Sequence, residues 1–234
     1  MRRGRKAGIN FLKDPTIAKR IVELEDFSGK DVLEVGPGLG QLTAFIRNYR
    51  TLTLIEREKD FADRLKYSFP DATVVAGDAL KVEWPHFQIF VSNMPYSIST
   101  PLLEKLWNSD FEEGIVTVQR EVADRITAVP GTKDYSRLSV MMQLKFDIER
   151  KFDIPPSKFV PQPKVFSTVL ILRRAEGVIP NGFDLFLKLL FSQRRKKVRN
   201  VMNLGLFQDK RPGELSIEDL LALFERFSAR QQSL

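Results

Sequence analysis

Cysteine is missing from this 234-residue chain and histidine occurs once. The first absence removes disulfides and every thiolate-held metal or cluster. The second leaves His86, between Pro85 and Phe87, without the company that a histidine-based metal site or a Ser-His-Asp triad requires. It reads as a loop or strand-edge residue, and no metal is expected. Long apolar runs are lacking too, none approaching the roughly 20 residues of a membrane-spanning helix. The N-terminus, Met1-Arg2-Arg3-Gly4-Arg5-Lys6, is basic but leads into no secretory apolar segment. The expectation is a cytoplasmic protein that needs no membrane.

What is present is 43% apolar and 29% charged residues, the balance of a globular chain able to bury a sizeable core. The formal net charge of +7 suits a polyanionic partner. Positive charge is densest in the N-terminal arm and in Arg194, Arg195, Lys196, Lys197 and Arg199. The second cluster reads equally well as a solvated helix face or as an RNA-binding surface.

Ile17, Ile21, Val22 and Leu24 give helical spacing over residues 16–25, after the start signal Asp14-Pro15. An apolar strand at 31–35 runs directly into Gly36-Pro37-Gly38-Leu39-Gly40, and helical spacing resumes over 41–48. Further strands are read at 51–55, 72–76, 89–91 and 115–118, and helices at 59–67, 101–107, 119–127 and 136–144. This alternation predicts a mainly parallel sheet covered on both faces. Residues 146–152 and 165–172 read as two strands with only a Pro-rich loop between them, which predicts an antiparallel edge. A linker at 177–182 precedes helical stretches at 183–205 and 216–227. The expected architecture is a Rossmann-like α/β domain over 1–176 and a small all-α C-terminal domain over 183–234.

Open parallel sheets bind ligands beyond the carboxyl ends of their strands, and four strands here end on residues with chemistry. The first ends in the glycine loop, where Gly36 and Gly38 let a ligand approach the backbone. The second ends on Glu56, 20 residues after Gly36, a spacing suited to a carboxylate that accepts from two ribose hydroxyls. The third ends on Asp78 and the fourth on Asn93-Met94-Pro95-Tyr96. A dinucleotide fingerprint would need glycine where Gln41 stands. Glu34 followed by this loop fits S-adenosylmethionine better, a nucleoside with an amino-acid tail and no pyrophosphate. The turn after the fourth strand suits a flat, amino-bearing base: the Asn93 amide and the Met94 carbonyl can accept from an exocyclic amine, and Tyr96 supplies a stacking face.

With these residues in place the sequence resembles the ribosomal RNA adenine dimethyltransferases of the KsgA type. The resemblance is carried by Asn10-Phe11-Leu12, VLEVGPGLGQLT from Val32, Glu56, Gly77-Asp78-Ala79, and NMPYSISTPL from Asn93. It continues through QREVADRI from Gln119, YSRLSVM from Tyr135, PPSKFVPQPKV from Pro155 and FSQRRKKVRN from Phe191. It implies S-adenosylmethionine contacts at Asn10, Leu12, Gly36, Gly38, Glu56, Asp78 and Asn93, with Asp78 at the adenine and Glu56 at the ribose. It implies a catalytic turn of Asn93, Met94, Pro95 and Tyr96; Phe159 reads equally well as a second wall for the base or as core packing beneath the Pro-rich loop. RNA contact would fall to Arg194, Arg195, Lys196, Lys197 and Arg199. The implied product is two adjacent dimethyladenosines in the terminal hairpin loop of small-subunit rRNA, made in a pre-ribosomal 30S particle by a monomer. Ile9 and Phe166 depart from the family's pattern, standing where glutamine and aspartate are common. Two other readings remain: a large-subunit rRNA adenine methyltransferase of the antibiotic-resistance type, and an assembly or mitochondrial-type transcription factor with secondary catalysis.

Overall fold

The computed structural model describes residues 10–232, so the basic N-terminal arm and Ile9 lie outside the described residues. Two compact units divide the chain: residues up to Ala123 with Ile148–Arg174, and Asp124–Asp147 with Ala175 onward. The sequence suggested a single cut near 177–182. Residues 124–147 instead group with the C-terminal helices, because their helix carries an almost wholly apolar run that needs helical partners.

The first unit is organised by a seven-stranded sheet. Its strands are β2 (Asp31–Val35), β3 (Thr51–Glu56), β4 (Thr73–Ala76), β5 (Ile89–Asn93), β6 (Glu113–Gln119), β7 (Phe146–Ile154) and β9 (Ser167–Arg174), in the spatial order β4-β3-β2-β5-β6-β9-β7. The first two residues of β7 fall in the second unit's span. β2 pairs in parallel with β3 and β5, β3 with β4, and β5 with β6. Parallel strands buried on both faces need continuous apolar runs, and Val32, Leu33, Val35, Phe90 and Val91 are all at most 2% exposed. β9 runs antiparallel to β6, from Gln119↔Ser167 to Glu113↔Arg173, which supplies the expected antiparallel edge. A separate two-stranded ribbon joins β1 (Phe11–Leu12) to β8 (Phe159–Val160), with Leu12 opposite Phe159.

Helix α1 (Pro15–Val22) starts where its signals placed it: Asp14 accepts from the Thr16 amide at 3.0 Å and Pro15 occupies the first turn. Helices α2 (Lys59–Ser68), α3 (Ser99–Trp107) and α4 (Arg120–Ile126) follow β3, β5 and β6. The helix expected at 41–48 is a single 3-10 turn, Thr43–Phe45. Ile46 is already extended and Asn48 sits at φ 59°, so the chain turns back toward β3 within a few residues.

The second unit contains α5 (Arg137–Lys145), α6 (Phe183–Phe191), α7 (Val198–Val201) and α8 (Ile217–Gln232). Phe183, Phe186 and Phe224 form its aromatic centre, with ring centroids 5.3 to 5.9 Å apart. Arg137 joins α5 to α6 through Asp184 at 2.6 Å. The long helix expected over 183–205 stops at Phe191, and residues 192–196 form turns. Its apolar spacing ends there, since the next residues are Ser192-Gln193-Arg194-Arg195-Lys196. Among the described residues no helix is long and apolar enough to cross a membrane.

Candidate active site

The carboxyl edge of the sheet opens into a cleft with about 980 Å³ of empty space, part of it continuous with solvent. The ends of β2, β3, β4 and β5 all reach it, bringing together Gly36, Gly38, Glu56, Asp78, Asn93, Met94, Pro95 and Tyr96. Asn10 and Leu12, from β1 and the residue before it, close the remaining side.

Glycine is required at the loop. Gly36 and Gly38 stand at φ 71° and 59°, where side chains are strained. A Cβ on Gly38 would lie 2.8 Å from the Phe11 ring. The Glu56 carboxylate then fixes the loop from the neighbouring strand: one oxygen accepts from the Gly38 amide at 2.9 Å, the other from the Glu58 amide at 2.8 Å. Beneath the loop Glu34 is 1% exposed and accepts from the Thr43 hydroxyl at 2.7 Å. Burial pushes its carboxyl up to about 7, with the nearby Glu56 adding to the effect and Thr43 opposing it.

Asp78 accepts from the Leu80 amide at 3.0 Å and so closes its own turn. That turn is braced from below by Lys105, whose ammonium donates to the carbonyls of Ala79 and Val82 at 2.8 and 2.6 Å. Burial lowers the Lys105 pKa, offset by the Asp78 charge.

At the end of β5, Ser92 donates to the Val35 carbonyl at 2.8 Å, tying this strand to β2. Asn93 donates its side-chain nitrogen to the Asn10 carbonyl at 3.3 Å, which leaves the carboxamide oxygen as the end available to a ligand. The Met94 amide donates to the Thr117 carbonyl at 3.0 Å, and the Pro95 carbonyl accepts from the Ile98 amide and the Ser99 hydroxyl, both at 3.1 Å. Tyr96 is held by its hydroxyl, 2.6 Å from the Ser167 hydroxyl at the start of β9. Burial raises the Tyr96 pKa above its ordinary value, against the opposing effect of the Ser167 bond, so the phenol is neutral near pH 7.

Two groups of expected residues lie elsewhere. Phe159 does not line the cleft: it is 1% exposed and packs in the core with Leu12, Ile154 and Val169. In β8 alternate residues face opposite ways, and it is Val160 that points outward. The basic cluster is not on a continuous helix. Arg194 donates to the Lys133 carbonyl at 2.8 Å, and Lys197 and Arg199 both pair with Asp209, at 3.0 and 2.8 Å. Arg195 and Lys196 stand exposed on the turn between α6 and α7.

Sequence reasoning missed three residues here. Phe11 and Phe61 meet edge to face at 5.5 Å and wall the cleft. Phe61 looked like an ordinary apolar position of α2, and nothing in its spacing separates the two roles. Ser167 sits 71 residues from the tyrosine it holds, a distance no local pattern bridges. Among the described residues no group of His, Asp and Glu is placed to hold a metal.

The cleft accepts a nucleoside with an amino-acid tail on three grounds: a loop that side chains would fill, a carboxylate on the second strand and another on the third. Fold and cleft together define the class, a Rossmann-like methyltransferase dependent on S-adenosylmethionine. Within it the chain belongs to the ribosomal RNA adenine dimethylase family, whose model matches residues 2–218. It is 42% identical to a probable ribosomal RNA small subunit methyltransferase A of Pyrobaculum aerophilum, covering 96% of this chain and 99% of the relative. It is 36% identical to a ribosomal RNA small subunit methyltransferase A of Leptothrix cholodnii, covering 85% and 78%. A dimethyladenosine transferase from Plasmodium falciparum superposes with a TM-score of 0.83 at 25% identity, covering 94% of this chain and 98% of that one.

Proposed function

We propose that the protein dimethylates the exocyclic amines of two adjacent adenosines in the 3′-terminal hairpin loop of small-subunit rRNA, acting as a monomer on a pre-ribosomal 30S particle in the cytoplasm. S-adenosylmethionine, when bound, supplies an electrophilic methyl group. Asn10, Leu12, Gly36, Gly38, Glu56 and Asp78 would hold it, Glu56 by accepting from the ribose and Asp78 from the adenine.

The carrying observation is that the Asn93–Tyr96 turn opens into the same cleft as the glycine loop, Glu56 and Asp78. An adenine amine is a poor nucleophile because its lone pair is delocalised into the ring. The Asn93 oxygen and the Met94 carbonyl accept its two hydrogens, localising the lone pair and aiming it. Tyr96 stacks on the extruded base, a contact worth roughly 1–3 kcal/mol. An amide cannot take a proton, so the proton is released to water and the rate gain comes from positioning and electrostatics.

Transfer of labelled methyl groups to undermodified 30S subunits, followed by mapping of the modified positions, tests the reading. Two adjacent dimethyladenosines near the 3′ end are expected. A second reading has one observation in its favour: a 23S rRNA methyltransferase, ErmE, superposes with a TM-score of 0.69 at 28% identity. Label appearing in large-subunit rRNA would replace the first reading with this one.

A further inference from the structure

All 18 phenylalanines of the chain lie among the described residues, and 17 of them are buried or partly buried. Phe166 is the exception, at 43% exposed. The ring gains little from the core, although burial of such a ring is among the larger stabilising contributions a core can gain. Nor is the residue on a loose tip. Its carbonyl accepts from the Arg120 amide at 2.9 Å, one step beyond the Gln119↔Ser167 pair that ends the β6–β9 ladder.

Phe166 stands at the same carboxyl edge of the sheet as the base pocket, one residue before Ser167, which holds the Tyr96 hydroxyl at 2.6 Å; its own side chain leaves the opposite face, shared with Arg120 across the ladder. Two more exposed apolar side chains share its segment, Val165 at 42% and Val160 at 51%. Two cations lie close by in the chain or across the ladder. Lys164 is exposed, and the Arg120 side chain is 54% exposed, with Asp153 3.6 Å away. An apolar ring with Arg120 and Lys164 near it, on the sheet edge that also carries the pocket for an extruded base, matches the chemistry of a single-stranded nucleotide: a base to stack and a phosphate to neutralise.

We infer that Phe166 is a stacking platform for the nucleotide adjacent to the target adenosine, with Arg120 and Lys164 meeting its backbone. The surface keeps the RNA strand splayed once the target base has left the stack. This rests on the proposed RNA substrate, but it concerns binding and can be read without any methyl transfer.

The test uses the full chain and a short RNA hairpin with 2-aminopurine beside the target adenosine, free of ribosomal protein. On binding wild-type protein, stacking on Phe166 should quench or shift the 2-aminopurine emission. Phe166→Ala should abolish that change, weaken binding and raise KM about 5- to 20-fold, leave kcat at saturating RNA within about twofold, and keep the melting temperature. Phe166→Trp should restore the signal, which a merely structural role would not do. Unchanged emission and affinity in Phe166→Ala would overturn the inference. So would a defect seen only with protein-containing particles, since that would assign the surface to a ribosomal protein. Wild-type binding and quenching without methyl transfer would instead remove the proposed reaction and leave this surface standing.

Discussion

Asn93 commits its side-chain nitrogen to the Asn10 carbonyl, so one carboxamide links the residue before β1 to the turn after β5 across the cleft they both line. Asn93→Ala should leave S-adenosylmethionine affinity by calorimetry within a few-fold while turnover falls about 10²- to 10³-fold, the usual loss for removal of one preorganised polar group. Near-normal methylation by that variant would overturn the role assigned to it. A second comparison isolates the loop. Gly29 and Gly38 both have positive φ, at 70° and 59°, but a Cβ on Gly29 meets nothing within 4 Å whereas one on Gly38 meets the Phe11 ring at 2.8 Å. Both alanine variants should lose about 1–2 kcal/mol of stability from backbone strain. Only Gly38→Ala should also weaken cofactor binding, by about tenfold or more, because Phe11 must move into the cleft or away from Phe61.

β2 carries an unusual load for a central strand. Glu34 lies in its apolar run with its carboxyl pushed up to about 7 by burial. A carboxyl raised in the folded state binds its proton more tightly there than when unfolded, so its contribution is full below the unfolded value near 4.3 and is lost as pH rises through about 7. Urea denaturation should therefore show stability falling between pH 5 and pH 8, and Glu34→Gln should flatten that slope. A wild-type slope that survives the substitution would place the titration elsewhere. The strands were legible for the reason that makes Glu34 costly: both faces are covered, so the chain spells apolar runs such as Ile89 to Val91, and each run's end leads into a cleft residue. Helix ends were not. The apolar spacing in 41–48 ran on past Phe45, where the 3-10 turn ends and Ile46 is extended, and the spacing before Phe191 said nothing of the turns after it. Phe159 was placed beside the base by its motif, whereas the pairing of β8 with β1, invisible locally, turns it into the core.

Taken whole, the chain separates a cofactor cleft built in the first unit from a second unit whose surface carries Arg195 and Lys196. Three of the five cations in that cluster are engaged within the protein, at Lys133 and Asp209, so the free charge is smaller than the sequence suggested. If these residues meet phosphate, Arg195→Glu with Lys196→Glu should weaken RNA binding and reduce the dependence of log K on log salt by about 1.5. An unaltered affinity across a salt titration would identify the cluster as a solvated surface.

The Tyr96–Ser167 bond also sets an order of events. During synthesis the N-terminal elements emerge first, and the cleft's lining residues are complete by Ile98. The partner of the Tyr96 hydroxyl follows 71 residues later, on a strand that must insert between β6 and β7. A partly made chain can assemble the glycine loop long before it can hold the tyrosine ring. The hydroxyl anchor of the tyrosine therefore forms only once β9 has joined the sheet.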